Sequence, residues 1–178
     1  MSSFEELPGL PGTGPWPERF SATGEGMHSE GFVVRFLPDR GEPWIGNFHG
    51  GLSSFSGVHS HPDGQHVLVV AGGQGYVVDP ETRALVQLLG GAIESVHVYG
   101  QHDLLVLDHQ GLAFEAIGRN GRVWRTRRLS WDGFRDVDYG QTEIVGEGWN
   151  AIGQQWQPFR VDVRTGLSSG GAYYWGPE

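Results

Sequence analysis

From Phe32 onward the chain is a succession of short apolar or β-branched runs separated by turn signals: FVVRF, PWIGNF, HVLVV, GYVVD, ALVQLL, SVHVYG, DLLVLD, AFEAIG, RVWRTRRL, TEIVGEGW, PFRVDV and GAYYW. Each run has strand length, and the gaps hold Gly, Pro, Asn and Asp, the residues that pre-set or tolerate turn dihedrals. No run sustains a 3.6-residue apolar period over the length of a helix. The pattern predicts an all-β chain. Residues 1–30 differ, being Pro/Gly-rich and without period, and they read as an N-terminal arm on the surface, anchored by Phe4, Leu10 and Trp16. Residues 31–178 then read as a single all-β domain.

A repeat refines this. DGQ at 63–65, YGQ at 99–101 and YGQ at 139–141 recur at offsets of 36 and 40, each opening a strand-like run. The segments downstream match in order: an apolar strand, a Gly/Gln turn, a second strand, a DPETR, GRNG or DVRTG turn, and a third strand. FVVRFLPDRGEPWIG reads as a degenerate earlier copy. Residues 63–66, 99–102 and 139–142 should therefore occupy equivalent turn-to-strand positions.

A period near 40 with this order resembles the blades of WD40-like and quinoprotein-like β-propellers over about residues 55–172. The resemblance implies propeller-like repeated antiparallel strand units, three plus a fragment, in an open or partial arrangement. A Gly-His to Trp-Asp signature is absent in repeat-wise form, and WDG at 131–133 occurs once. A β-sandwich or a cupin-like barrel is the alternative. WRTRRLSWDGF and WQPFRVDVRTG also resemble stretches of small bacterial β proteins, a likeness that brings no activity with it.

Composition changes the picture in two ways. The chain has 30 Gly and 10 Pro but also seven Trp, nine Phe and five Tyr, which favours many tight turns around an aromatic core over disorder. Without cysteine, disulfides and thiolate chemistry are excluded, which fits a reducing compartment. The N-terminus lacks a basic start followed by an apolar run, and no stretch approaches the length of a membrane span, so the expectation is a cytoplasmic protein without membrane contact.

The net charge is −9, and all 12 basic residues are arginine. Six of them, Arg119, Arg122, Arg125, Arg127, Arg128 and Arg135, fall in residues 119–135 against Asp132 alone, leaving 20 acids against six arginines elsewhere. Such a field disfavours nucleic acid and favours a basic protein partner.

The sharpest chemical motif is HSHPDGQH at 59–66, three of the chain's eight histidines in eight residues. His59 and His61 share a strand face at i and i+2, and with Gln65 or His66 at the next ligand position the stretch resembles the first cupin motif. That likeness implies a metal-dependent enzyme using His59, His61 and His66. The pattern departs from the family: Ser53 stands where the leading Gly belongs, the Glu is missing, and no proline between Pro80 and Pro158 supplies the second motif's turn. His97, His102 and His109 have the right neighbourhood for a fourth ligand but no turn to place it. Pro62-Asp63-Gly64 is meanwhile a plain turn signal, and xGQ recurs where no H-x-H precedes it, so the turn reading stands ahead of the metal one and no cofactor is expected.

The remaining motifs read as structure. GGQGY at 72–76 and GRNG lack the helix and lysine of a phosphate loop and read as hairpin turns. Asp136 and Asp138 form a carboxylate pair if they share a face, or a solvated edge strand. The arginine strip reads as an edge or an intramolecular counter-charge. With no assembled catalytic constellation, the sequence points to a non-catalytic acidic binding module, in concrete form a bacterial inhibitor or immunity-type protein for a basic partner. Its candidate anchors are Trp149, Trp156 and Tyr173, and its acidic residues Asp136, Asp138, Glu143 and Glu147.

Overall fold

The computed structural model describes residues 3–14, 16–24 and 30–172. They form four sheets of four strands each. The first holds β1 (Ser3–Leu7), β2 (Glu18–Phe20), β3 (Phe32–Leu37) and β4 (Trp44–Phe48) in the order β1-β3-β4-β2, with β2 parallel to β4 and the other pairs antiparallel. The other three are antiparallel meanders in chain order: β5 (Gly57–Ser60), β6 (Val67–Ala71), β7 (Gln74–Asp79) and β8 (Ala84–Leu88); β9 (Ile93–Tyr99), β10 (Leu104–His109), β11 (Ala113–Gly118) and β12 (Gly121–Arg125); β13 (Phe134–Tyr139), β14 (Glu143–Asn150), β15 (Gln155–Asp162) and β16 (Ser168–Gly170). One 3-10 turn, Gly100–His102, interrupts them. Four successive four-stranded sheets, three of them meanders, are compatible with a propeller-like repeat. None closes into a barrel, which removes the cupin-like alternative.

The turns explain the repeat. Residues 63–66, 99–102 and 139–142 each fall at the connection between the first and second strand of their sheet. Between β6 and β7, Ala71 pairs with Gln74 across a two-residue loop, and Gly72 and Gly73 both take positive φ, 48° and 86°, the geometry that matches strand twist in a tight hairpin. At the third turn of the second and fourth sheets, Asp79 accepts from the amides of Glu81 and Thr82, and Asp162 from those of Arg164 and Thr165. The aspartates of DPETR and DVRTG thus hold their turns through their side chains.

The N-terminal reading changes. The degenerate first copy is a whole sheet, so the repeat counts four units, and the segment read as a surface arm supplies its outer strands. β1 pairs with β3 over five residues, from Ser3 opposite Leu37 to Leu7 opposite Val33, and Phe20 of β2 is buried. Among the described residues the fourth sheet ends with β16, the third strand expected after DVRTG; Gly171 and Ala172 of the GAYYW run lie outside it, and Tyr173 onward lies outside the described residues.

The chain divides into two compact units, Met1–Ile93 and Glu94–Glu178. In the first, Phe20, Val34, Phe36, Trp44 and Phe48 pack with Val67, Val69, Tyr76 and Val78, and Phe36 stacks on Trp44 at 4.3 Å. In the second, Leu104, Val106, Phe114, Ala116 and Trp124 pack with Ile144, Phe159 and Val161. Each core joins two consecutive sheets. In each, a tryptophan of the earlier sheet donates its indole N–H to the third turn of the later one, Trp44 to the Pro80 carbonyl at 2.8 Å and Trp124 to the Val163 carbonyl at 2.9 Å.

Candidate functional site

The fourth sheet carries the residues singled out as partner contacts. Along β14, Ile144 faces the core, so Glu143, Val145, Glu147 and Trp149 face outward. Register sets these opposite Asp162, Arg160, Pro158 and Trp156 of β15. Trp149 and Trp156 are half-buried, 5.3 Å apart between ring centroids and inclined by 59°. The Arg135 guanidinium lies 4.6 Å over the Trp156 ring and bonds Glu147 through Nε at 2.8 Å and through its terminal nitrogen. Arg160 bonds Glu143 at 2.9 Å.

Asp136 and Asp138 lie on β13, the edge of this sheet, where a bulge falls between Arg135 opposite Glu147 and Asp138 opposite Val145. Asp136 takes φ 51° there. The bulge breaks the plain alternation on which a shared carboxylate face depends and protects the edge. Both are exposed, and Asp136 lies 3.3 Å from Arg135. Tyr173 lies outside the described residues. Sequence reasoning missed Ile152, 83 % exposed on the loop that β14 and β15 enclose just beyond the tryptophan pair. A lone apolar residue between turn residues carries no periodic signal.

The arginine strip does not act as one patch. Arg122 and Arg125 approach the buried Glu115 at 3.9 and 3.5 Å, with His109 Nε2 at 3.1 Å from the same carboxylate. Burial pushes the Glu115 carboxyl up, but His109 and the two arginines outweigh it and hold it below the usual value. Arg127 donates to the Gly170 carbonyl, and Arg128 to those of Ser130 and Trp131. Arg119 lines a groove with His102 and Arg164.

A second cluster forms at the turn from β5 to β6. The His61 amide donates to the His66 carbonyl, the Gly64 amide to the His61 carbonyl, and Gly64 takes φ 74°. Asp63 organises the turn: its Oδ1 accepts from the amides of Gln65 at 2.8 Å and His66 at 2.9 Å, and its Oδ2 faces His61 Nδ1 at 2.9 Å and His66 Nδ1 at 2.5 Å. Burial pushes the Asp63 carboxyl up, but the His66 amide and ring, the Gln65 amide and the charge of His61 prevail and hold it far below the carboxylate range. His61 is buried, and burial lowers its basicity despite the neighbouring carboxylate.

His59 does not join this cluster. Its Nε2 is buried without a hydrogen-bond partner among the described residues. The set His59, His61 and His66 is therefore not assembled, and Asp63, read from sequence as a turn former, takes the third place beside His61 and His66. The other histidines weighed as ligands belong to the second unit: His97 stacks on Tyr139, His102 ends the 3-10 turn, and His109 meets Glu115.

No family model and no curated protein matches the chain. Among solved structures it is similar to one described as the crystal structure of the eukaryotic initiation factor, with 7% identity and a TM-score of 0.42, over 80% of this chain and 40% of that one. The chain thus spans less than half of that structure's length, and a likeness of this degree carries no argument about function.

Proposed function

We propose that the protein is a non-catalytic protein-binding module on a propeller-like frame of the WD40 or quinoprotein kind, and that the outer face of the fourth sheet receives a basic protein. The observation that carries this reading is the Trp149–Trp156 pair, half-exposed on regular strands and set among Asp136, Asp138, Glu143 and Glu147. Aromatic side chains on a rigid sheet offer large contact area at little entropic cost and are frequent binding hot spots. Arg135 and Arg160 offset two of the four carboxylates, leaving a surplus of negative charge that draws a cationic partner. Ile152 extends the apolar part of the face. Inhibition of a basic enzyme, as by an immunity-type protein, is the concrete form of this reading.

The test is capture from a host extract on immobilised protein, with the Trp149→Ala, Trp156→Ala double variant alongside. The expected outcome is a basic protein retained by the unmodified chain and bound at least about 100-fold more weakly by the variant, since each anchor is worth about 2 kcal/mol or more. Capture of acidic proteins or nucleic acid alone, or retention indifferent to the tryptophans, contradicts the reading.

A further inference from the structure

The β5–β6 turn turns three metal-competent donors toward one point. We propose that His61 Nδ1, Asp63 Oδ2 and His66 Nδ1 form a site for a single divalent cation of the zinc class. The three ligand atoms lie within 4.8 Å of one another and come from six consecutive residues. This site is independent of the partner-binding face.

The geometry around Asp63 Oδ2 brings two imidazole nitrogens to one oxygen. Both Nδ1 atoms face the same carboxylate oxygen, and each such contact needs a positive centre between its two lone pairs. A proton on His66 Nδ1 satisfies the first. At His61 the Asp63 amide N–H also points at Nδ1, at 3.3 Å, and so needs a lone pair there. A proton on His61 Nδ1 serves Oδ2 but opposes that amide; a bare Nδ1 serves the amide but sets its lone pair against Oδ2 at 2.9 Å. One cation bound by all three atoms takes the place of the two protons and gives Oδ2 and both Nδ1 lone pairs a common positive partner, with the 3.3 Å amide contact the weak one in either state.

The turn is built to present these donors. Oδ1 of Asp63 is held by two amides, which fixes the carboxylate plane and leaves Oδ2 for the cation. His61 is buried at 6 % exposure, while Asp63 and His66 are partly buried, so the donors are shielded from competing water without being sealed. Beside them opens a cleft lined by Asp39, Arg40, Gly64, Gln65, Asp79 and Glu81, whose three carboxylates and single guanidinium favour entry of a cation.

Donor type selects the ion. Two imidazoles and one carboxylate suit zinc, cobalt or nickel, whereas magnesium and calcium take oxygen donors. Bonds of about 2.0–2.2 Å require His61 Nδ1 to draw back from Oδ2 by roughly half an ångström and His66 Nδ1 by up to about 1 Å, which imidazole rotations supply. The fourth tetrahedral position falls to water.

The experiment uses the full chain, free of any histidine tag and stripped with chelator, titrated with Zn2+ by calorimetry and with Co2+ by absorption. One equivalent is expected to bind, with the Co2+ spectrum of a nitrogen–oxygen tetrahedral site. His61→Ala and His66→Ala should each weaken binding at least about tenfold, the loss typical even for groups that only support a ligand. His59→Ala should leave it unchanged, and Mg2+ or Ca2+ should not compete. Should either alanine variant fail to fold, Zn2+ must still shift the imidazole nitrogen resonances of His61 and His66 in the unmodified chain and leave those of His97 and His109 in place. Absence of saturable Zn2+ binding, or binding that survives both substitutions or leaves those resonances unmoved, overturns the proposal.

Discussion

Asp108 is buried in β10 with its Oδ1 accepting from the Gly111 amide at 2.7 Å. Burial pushes its carboxyl up to about 6; Gly111 and His109 pull it down, and Glu94 adds to the rise. The folded chain therefore holds this proton more tightly than the unfolded chain, whose aspartate titrates near 3.8. Stability from this group is full below that value and is lost as pH rises toward about 6. Asp108→Asn keeps an acceptor for Gly111 and removes the charge. It should raise stability at neutral pH by about 1–3 kcal/mol and flatten the profile between the unfolded value of 3.8 and about 6, read by urea unfolding from acidic to neutral pH. An unchanged profile contradicts the assignment. At this scale sequence reading had clear limits. The parity of His59 and His61 suggested one shared ion, but pairing at Ser60 and Val67 ends the strand between them and leaves His61 in the turn. Asp63 looked like turn chemistry because it is that as well: one oxygen holds the turn, the other faces two imidazoles.

Elements were most legible where side chains announce them. The inner strands β6, β7, β10 and β11 are near-continuous apolar runs because nearly every residue in them is buried. Their hairpins follow from Gly pairs and turn aspartates. The strands that escaped notice, β1 and β2, are outer strands of five and three residues. They join a sheet through backbone bonds and need no apolar run of their own, so SFEEL and ERF read as polar chain. Phe4 and Phe20 nevertheless pack on the first core. Deleting residues 1–24 should uncover both edges of the β3–β4 pair and lower the thermal midpoint by roughly 5–10 °C, at about 2–4 °C per kcal/mol for a chain of this size. A surface arm without structural role would leave the melt unchanged.

Across the whole molecule, the order of strands and turns was legible because the last three units repeat the same local solution: a first turn, a Gly-containing hairpin, and a third turn that in two of these sheets is held by an aspartate. Charge was legible in amount but not in placement. The arginine strip looked continuous along the chain, yet β12, the following loop and β13 send its members to Glu115, to backbone carbonyls and to Glu147. What remains outward on the fourth sheet is an aromatic pair within an acid surplus, and the central claim is that this face binds a basic protein. The most direct measurement is the association and dissociation kinetics of the captured partner across a salt series. Association should slow by about tenfold or more as the Debye length shrinks from about 10 Å at 0.1 M toward about 3 Å at 1 M, because long-range attraction governs encounter. Dissociation should vary by less than about threefold with salt and accelerate sharply on Trp149→Ala or Trp156→Ala, because desolvated contacts govern escape. An association rate indifferent to salt, together with a dissociation rate indifferent to both tryptophans, would contradict the claim.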